Sequence, residues 1–176
     1  GILSGVVAGF SGGKIAEEFI KGAKELVYGA LVIGLARAIL VVMTEGQIVD
    51  TVIYSLASLV ESMPPVISGV GMFFVQTALN VLIPSGSGQA AATMPIMAPL
   101  ADVVGVTRQT AVLAFQFGDG ITNVISPTSG YFMAALAIGK IPWDKWVRFF
   151  FPLFLIWNVI AIVMVSVAVF INYGPF

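Results

Sequence analysis

The chain has 176 residues, of which 59% are hydrophobic and 10% are charged, and its net charge is -1. Its mean hydropathy of +1.03 lies well outside the range of a soluble domain and is typical of a protein embedded in a bilayer. Cysteine and histidine are absent, which excludes thiol nucleophiles, disulfides, imidazole bases and the commonest zinc ligands. We therefore expect an integral membrane protein that is not an enzyme, and the negative charge argues against nucleic acid as a partner.

The first 63 residues predict scaffold-type helices. Residues 1–13 are typical of the tail of a helix, and residues 14–25 mix charged and apolar residues at helical spacing, which predicts an interfacial helix. Residues 26–44 predict the first full span. Residues 45–63 place Asp50 and Glu61 around an apolar stripe and predict a second interfacial helix, on the outer side of the membrane.

Residues 64–139 predict a core in which apolar sequence is interrupted twice by small polar residues. The first interruption, Ser85 to Gly88, joins two apolar arms, and the second, Asp119 to Gly130, divides one long apolar segment. Lipid offers backbone groups no hydrogen-bond partners, so irregular chain at membrane depth must be buried in protein or line a watery cavity. Two such interruptions also indicate the binding site of a secondary transporter.

The two apolar arms allow two descriptions, a pair of spans or one re-entrant hairpin over residues 64–101. Lysine and arginine lie at 14–24 and 140–148 and mark cytoplasmic stretches, whereas residues 45–61 contain neither, and both descriptions satisfy this asymmetry. The uncharged tip favours the hairpin. A broken helix over 108–139 then returns the chain to the cytoplasm, and residues 140–176 predict an interfacial turn and a last span.

The two interruptions predict a site for an anion beside a cation. Helix N-termini near Gly88 and Thr128 would converge at mid-membrane and favour an anion. Helix C-termini near Pro84 and Asp119 would offer carbonyls and a carboxylate to a sodium ion or a proton, and no other cofactor or metal is expected. Pro127 would hold the second break open because it has no N–H. The candidate ligands are Ser85, Gly86, Ser87, Gly88, Asp119, Thr122, Asn123, Ser126, Pro127 and Thr128, with Arg37, Asn80, Gln89 and Gln116 as supporting residues. Gln76, like Asn80 and Gln116, lies on a flanking helix and suits either a supporting role or a contact between helices.

Each of these residues also has a structural explanation. Serine, threonine and glycine are common where membrane helices pack, and a proline can simply kink a helix. Arg37 lies near the centre of the first span, where a charge is costly, so it either pairs with an acid such as Asp119 or meets polar groups of another part of the protein. Trp143, Trp146 and Tyr173 are expected to anchor the ends of the last span at the membrane interfaces.

Two strings, PSGSGQAAATMPIMAPLADVVGVTRQ and LAFQFGDGITNVISPTSG, resemble the second repeat of the ion transporter superfamily, most closely its YfcC/DcuC-like branch of four-carbon dicarboxylate or amino acid carriers. The GD-x-x-TN-x-ISP pattern is similar to that of the p-aminobenzoyl-glutamate transporters. The tip resembles the Ser-Asn-Thr hairpin tip of the sodium/dicarboxylate symporters, except that Gly86 stands where those have asparagine, so their sodium site does not transfer directly. The resemblance implies two inverted repeats, of which this chain contains one.

These observations predict an all-α integral membrane protein forming the C-terminal half of a secondary active transporter. The solute would be a small carboxylate-bearing metabolite such as a dicarboxylate, fatty acid, amino acid or peptide, and the location the bacterial inner membrane. The expected partners are the lipid bilayer, the anionic solute, and either a missing N-terminal repeat or further copies in a homo-oligomer. Two alternatives from other classes are a channel-like pore and a structural membrane subunit that does not transport.

Overall fold

The computed structural model describes residues 1–174 and the side chains of this range except those of 25, 26, 28–30, 32, 33, 35–37, 39, 40, 49, 56, 60 and 61. Every regular element within it is an α-helix, which confirms the all-α prediction. The helices are α1 (Ile2–Val7), α2 (Gly12–Glu45), α3 (Ile48–Glu61), α4 (Pro65–Leu82), α5 (Gly86–Val103), α6 (Arg108–Thr122), α7 (Gly130–Ile138) and α8 (Trp143–Phe170). The predicted pairing of Arg37 lies outside the described side chains.

Helix α2 is continuous over 34 residues, whereas the sequence predicts an interfacial helix followed by a separate span. It begins where the Ser11 side chain accepts a hydrogen bond from the Lys14 backbone N–H, at 3.4 Å, which is a normal N-cap. No proline follows inside the helix to remove a backbone donor, so the ladder of hydrogen bonds continues through the change in composition near residue 25. The predicted boundary therefore does not coincide with a break in the helix.

Helix α4 is the centre of the fold because it packs against α3, α5, α6 and α8. Its side chains Met72, Phe73 and Leu79 are almost completely buried. The closest approach is to α6 at Gly118, where an added Cβ would lie 2.8 Å from Gln76 Cβ and 2.9 Å from the Thr77 backbone nitrogen. Glycine at this position therefore sets the distance between the two helices that carry the candidate site.

Two helices in the described part of the chain, α4 and α8, are long and apolar enough to span a membrane. In the apolar stretch of α4, 44% of the residues are buried within the protein, compared with 22% in α8. Helix α4 is therefore a core helix, and α8 presents a largely exposed apolar surface that suits contact with lipid. Both helices have the length and composition that a membrane span requires.

Helices α4 and α5 have 18 residues each and are joined by the short non-helical link 83–85. Each is roughly 27 Å long at 1.5 Å per residue, close to the thickness of the hydrocarbon core. The two arms make more contact with α6 than with each other. Helix α5 continues through Pro95 and Pro99, each of which lacks the N–H that would complete the ladder.

The interruption between α6 and α7 covers residues 123–129 and is called the break below. The sequence predicts that the first helix ends near Gly118 and Asp119 and that the second begins near Thr128. In the structure α6 continues to Thr122, because the Asp119 carbonyl still accepts a hydrogen bond from the Asn123 N–H at 3.1 Å. Asp119 therefore lies in the last helical turn rather than at the end of the helix. Beyond the break, α7 packs mainly against α2.

The connection between α5 and α6 is held by an exposed ion pair. Arg108 Nη2 lies 2.6 Å from Asp102 Oδ2, and Arg108 Nε donates to both carboxylate oxygens at 3.1 Å. The hydrogen bonds from Arg108 lower the pKa of Asp102 below its ordinary value. The Thr107 hydroxyl next to this pair donates to the Tyr173 carbonyl at 2.7 Å, so the far end of α8 is attached to the start of α6.

The close contact at Gly118 yields the first prediction. Replacing Gly118 by alanine should destabilise the protein by about 1–3 kcal/mol, because the new methyl group must push α4 and α6 apart. The matched control is Gly120→Ala, since an added Cβ at Gly120 meets no atom within 4 Å. Thermal unfolding in detergent should show a lower midpoint for Gly118→Ala only, and equal midpoints for the two variants would contradict this packing.

Candidate functional site

The carboxylate of Asp119 connects α4, α6 and the break. Its Oδ1 atom accepts a hydrogen bond from Asn80 Nδ2 on α4 at 2.7 Å and another from Asn123 Nδ2 in the break at 2.8 Å. Hydrogen bonds to an ionised oxygen are shorter and stronger than those between neutral groups. The position of this one carboxylate therefore determines how the first break residue is placed relative to the hairpin.

A buried row of polar side chains continues from Asn80 between α4 and α5. Asn80 Nδ2 also donates to Gln89 Oε1 at 2.9 Å, and Gln89 Nε2 donates to Gln76 Oε1 at 2.7 Å. Gln76 Nε2 in turn donates to Thr93 Oγ1 at 3.1 Å. All four side chains are at most 1% exposed. Such a network fixes the two arms in one arrangement, because breaking any bond would leave a buried polar group without a partner.

The structure thus brings together Asn80, Gln89, Asp119 and Asn123, which the sequence predicts as site residues from two separate segments. Gln76, which the sequence left open as a supporting residue or a contact between helices, joins them, whereas Thr93 stands outside the predicted set. A signal for Thr93 exists, because it follows Gln89 by four residues just as Asn80 follows Gln76 by four. Residues four apart share one face of a helix, so each apolar arm carries a two-residue polar stripe that could face the other.

The tip of the hairpin begins α5 two residues earlier than the sequence predicts. Ser85 is the N-cap, and its hydroxyl accepts a hydrogen bond from the Gly88 N–H at 3.3 Å. Gly86 lies against the carboxylate, since an added Cβ there would be 3.0 Å from Asp119 Oδ2. This contact gives a physical reason for glycine where related tips have asparagine, because a side chain would displace the acid. Ser87 is exposed.

The break is also attached to the end of α4. Thr128 Oγ1 donates to the Val81 carbonyl at 2.8 Å and lies 2.7 Å from Ser126 Oγ. The Thr128 N–H donates to Ser126 Oγ at 3.4 Å, so these two candidate residues form one small unit. Pro127 between them is exposed. The hydroxyls of Ser126 and Thr128 therefore already serve to shape the break.

Four buried oxygen atoms at this site have no hydrogen-bond partner among the described residues: Asn80 Oδ1, Thr122 Oγ1, Asn123 Oδ1 and Ser129 Oγ. Buried polar atoms in native proteins nearly always have partners, so each such atom requires an explanation. Two of the four belong to the amides whose nitrogens contact Asp119. Carboxylate, amide and hydroxyl oxygens are the ligands that hard cations prefer. The arrangement is chemically suited to a monovalent cation or a proton at the acid.

Two tryptophans of α8 contact the break, although the sequence predicts only that they anchor the last span. Trp143 Nε1 donates to the Ile125 carbonyl at 3.0 Å, and Trp146 Nε1 donates to the Val124 carbonyl at 2.9 Å. Measured along α8, the break therefore lies beside the first turn and not at the middle of the helix, which is roughly 20 Å further on.

The remaining candidates do not join this cluster. Gln116 is exposed on α6, with no hydrogen bond to the residues above, and the side chain of Arg37 is not described. No group of three or more histidine, cysteine, aspartate or glutamate side chains that could hold a metal ion occurs in the described part of the chain. An apolar cavity of about 660 Å³ between α1 and α2 is lined by none of the candidate residues.

Comparison with known proteins gives matches over most of the chain. The profile of the DcuC family, described as C4-dicarboxylate anaerobic carrier, matches residues 1–170. A protein of Escherichia coli (strain K12) named "Putative basic amino acid antiporter YfcC" is 35% identical over 159 residues, which are 84% of this chain and 31% of that protein. An uncharacterized protein of Haemophilus influenzae is 39% identical over 164 residues, 91% of this chain and 32% of that protein.

The chain spans about a third of the length of these two relatives. No solved structure matches it with comparable significance.

The buried network yields the second prediction. Asn80→Ala should destabilise the protein by about 1–3 kcal/mol, because it removes a donor to Asp119 and leaves Gln89 Oε1 without its partner in a buried position. Gln116→Ala is the control, since Gln116 is exposed and a substitution of this kind is expected to change stability by no more than about 0.5 kcal/mol. Thermal unfolding in detergent measures both. If Asn80→Ala unfolds at the wild-type temperature, the network does not support the site.

Proposed function

Because the chain belongs to the DcuC family of C4-dicarboxylate anaerobic carriers, we propose that it forms the C-terminal half of a secondary active transporter. Membership of this family makes it an integral membrane protein of a carrier family and not an enzyme. In the proposal, the hairpin tip and the break together bind a small carboxylate-bearing metabolite. Transport is coupled to a cation or proceeds by exchange.

The observation that carries the proposal is the carboxylate of Asp119, held by Asn80 and Asn123 with their own amide oxygens unpartnered. A sodium ion bound by the acid and these oxygens would satisfy atoms that otherwise lack partners. A proton on Asp119 is the other coupling ion that this chemistry allows. In either case the charge of Asp119 is neutralised, which removes the repulsion that an anionic solute would meet at this position.

The start of α5 supplies the complementary feature for the anion. The first N–H groups of a helix have no partners within the helix, and the helix dipole adds partial positive charge at this end. Ser87 is exposed in the first turn of α5, and Gly86 next to it contacts Asp119. A carboxylate at the tip would thus lie close to the proposed cation, and the two ions would stabilise each other's binding.

The proposed substrate class follows from the feature that the relatives' names have in common. The family description names four-carbon dicarboxylates, and the name of the Escherichia coli relative refers to basic amino acids. Both kinds of molecule carry a carboxylate, as do fatty acids and peptides, and the helix start at the tip suits that group.

The membrane arrangement belongs to the same proposal. Helices α4 and α5 form a re-entrant hairpin that enters from outside, and α6, the break and α7 form a broken transmembrane helix, in the bacterial inner membrane. The contact between Gly86 and Asp119 supports a tip that is covered by protein rather than exposed as a surface loop. The two tryptophan contacts support a break close to the Lys140 side, which is the cytoplasmic side of the proposed topology.

A partner must cover the polar surface of the tip and the break. Ser87 and Pro127 are both exposed here, and lipid cannot satisfy the nearby backbone groups, at a cost of several kcal/mol for each group left without a partner. The partner in this proposal is an inverted N-terminal repeat or, failing that, a second copy of the chain. A channel-like pore is less well supported, because Ser126 and Thr128 bond to each other and to α4 rather than facing an open water path.

The site yields the third prediction. Asn123→Ala should weaken binding of sodium and of carboxylate solutes by about tenfold, because it removes a donor to Asp119 and an unpartnered amide oxygen. The control is Asn158→Ala, since the bond that Asn158 donates, among the described residues, goes to the Phe154 carbonyl of its own helix. Succinate and L-arginine are tested by equilibrium binding and thermal shift, in sodium chloride and in choline chloride. Equal affinities of Asn123→Ala and wild type would show that Asn123 is not part of the binding site.

The topology yields the fourth prediction. The chain has no native cysteine, so single cysteines can be introduced without background labelling. A cysteine replacing Glu45 should react with an impermeant thiol reagent from outside the cell, and one replacing Lys140 only from inside. The reason is that lysine and arginine cluster at 14–24 and 140–148, which the proposed topology places on the cytoplasmic side. Labelling of both positions from the same side would contradict the proposed arrangement.

A further inference from the structure

Trp143 and Trp146 lie three residues apart and therefore on the same face of α8. Their indole N–H groups donate to two successive backbone carbonyls of the break, those of Ile125 and Val124. An indole has one donor and no acceptor, so each side chain has committed its only hydrogen bond to this contact. The face of α8 that carries both tryptophans, in the first turn of the helix, is thus directed at the break.

Membrane anchoring alone does not account for these bonds. A tryptophan that serves only as an anchor would direct its N–H to the headgroups or to water. Here the indole N–H groups donate to backbone carbonyls that lie beyond the end of α6. At this point the helix no longer supplies backbone N–H donors to those carbonyls. Trp146 also stacks on Phe150, with ring centroids 5.3 Å apart, and contacts Phe132 of α7 at 6.0 Å. Its ring is consequently fixed by neighbours on α7 and on α8 itself.

The break is held at two points by hydrogen bonds to other helices. The tryptophans hold Val124 and Ile125 against α8, and Thr128 holds the other end against the Val81 carbonyl of α4. Asn123 directly precedes the first pair, and it is the residue that donates to Asp119. A shift of the Val124 carbonyl would therefore move the Asn123 amide relative to the acid.

We propose that Trp143 and Trp146 are positioning residues of the transport site: through the Ile125 and Val124 carbonyls they set the place of Asn123 and so the geometry around Asp119. The inference rests on the proposed function of that site and deepens it. The first turn of α8 is then part of the site's supporting structure. It acts through hydrogen bonds to the backbone and touches neither the solute nor the coupling ion.

The test compares Trp143→Phe, Trp146→Phe and the double variant with Trp157→Phe. Phenylalanine keeps an aromatic ring but removes the N–H. Trp157 is the matched control, because it makes an edge contact with Phe150 at 5.3 Å and its indole has no hydrogen bond within the part of the chain that the structure describes. Each change removes a similar volume from the same helix, so a difference between them reports the hydrogen bonds.

Two readouts are needed, both on the detergent-solubilised chain. The first is hydrogen exchange of the break amides, where the N–H groups of Ile125 and Ser126 donate to the Thr122 carbonyl. The second is the equilibrium affinity for sodium and for succinate or L-arginine. We expect faster exchange in the break and an affinity loss of about fivefold for each lost hydrogen bond. Trp157→Phe should change neither.

Unchanged exchange in the Trp143→Phe, Trp146→Phe double variant would overturn the proposal, because the break would then be held without the indoles. Faster exchange with wild-type affinity would also overturn it, since the tryptophans would then support the fold without positioning the site. If the wild-type protein binds none of the probes, the proposed function fails separately. The exchange comparison then decides whether the tryptophans hold the break.

Discussion

The hydrogen bonds from Asn80 and Asn123 to the Asp119 carboxylate are the interaction on which the rest of the site depends. One donor comes from the central helix α4 and the other from the break, so the acid fixes both elements relative to each other. Burying part of a carboxylate is costly unless it is hydrogen-bonded. The row of side chains from Asn80 to Thr93 holds the first donor in place, and the tryptophans of α8 hold the backbone next to the second.

Two glycines make this arrangement geometrically feasible. Gly118 lets α6 approach α4 closely enough for Asp119 to reach Asn80, because any side chain there would meet the α4 backbone. Gly86 lets the tip of the hairpin lie against the same carboxylate. The acid is therefore enclosed from α4, from the break and from the start of α5. A cation at the acid and an anion at the helix start would lie next to each other, which is the physical basis of the proposed coupling.

Much of the fold could be predicted from the sequence because its signals are local. Apolar segments, the Ser-Gly-Ser-Gly tip and the proline-containing break mark the helices and their interruptions within a few residues. The continuous α2 was not predictable from composition, since a change from charged to apolar residues does not stop a helical ladder. The extra turn of α6 up to Thr122 likewise depends on a backbone hydrogen bond, which the residue types in the sequence do not predict.

Four members of the polar cluster around Asp119 were predictable from the sequence, but its geometry was predictable only in part. Asp119, Asn123, Asn80 and Gln89 were identifiable as polar residues in apolar surroundings, and they meet in the structure. The roles of Trp143 and Trp146 were not, because their contacts join residues about twenty positions apart through side chains that also suit an interface. Pairing of this kind is decided by tertiary packing. Sequence spacing alone cannot show which face of α8 meets the break.

Protection of a cysteine at position 87 tests the central claim most directly, since Ser87 is exposed at the tip and the chain has no other cysteine. The reaction rate of this cysteine with a thiol reagent is measured in sodium chloride and in choline chloride, with and without succinate or L-arginine. A cysteine replacing the exposed Ser11 serves as the control. The account predicts that solute together with the coupling cation slows labelling at position 87 and leaves position 11 unchanged. Equal labelling rates at position 87, in a protein shown to bind the solute, would contradict it.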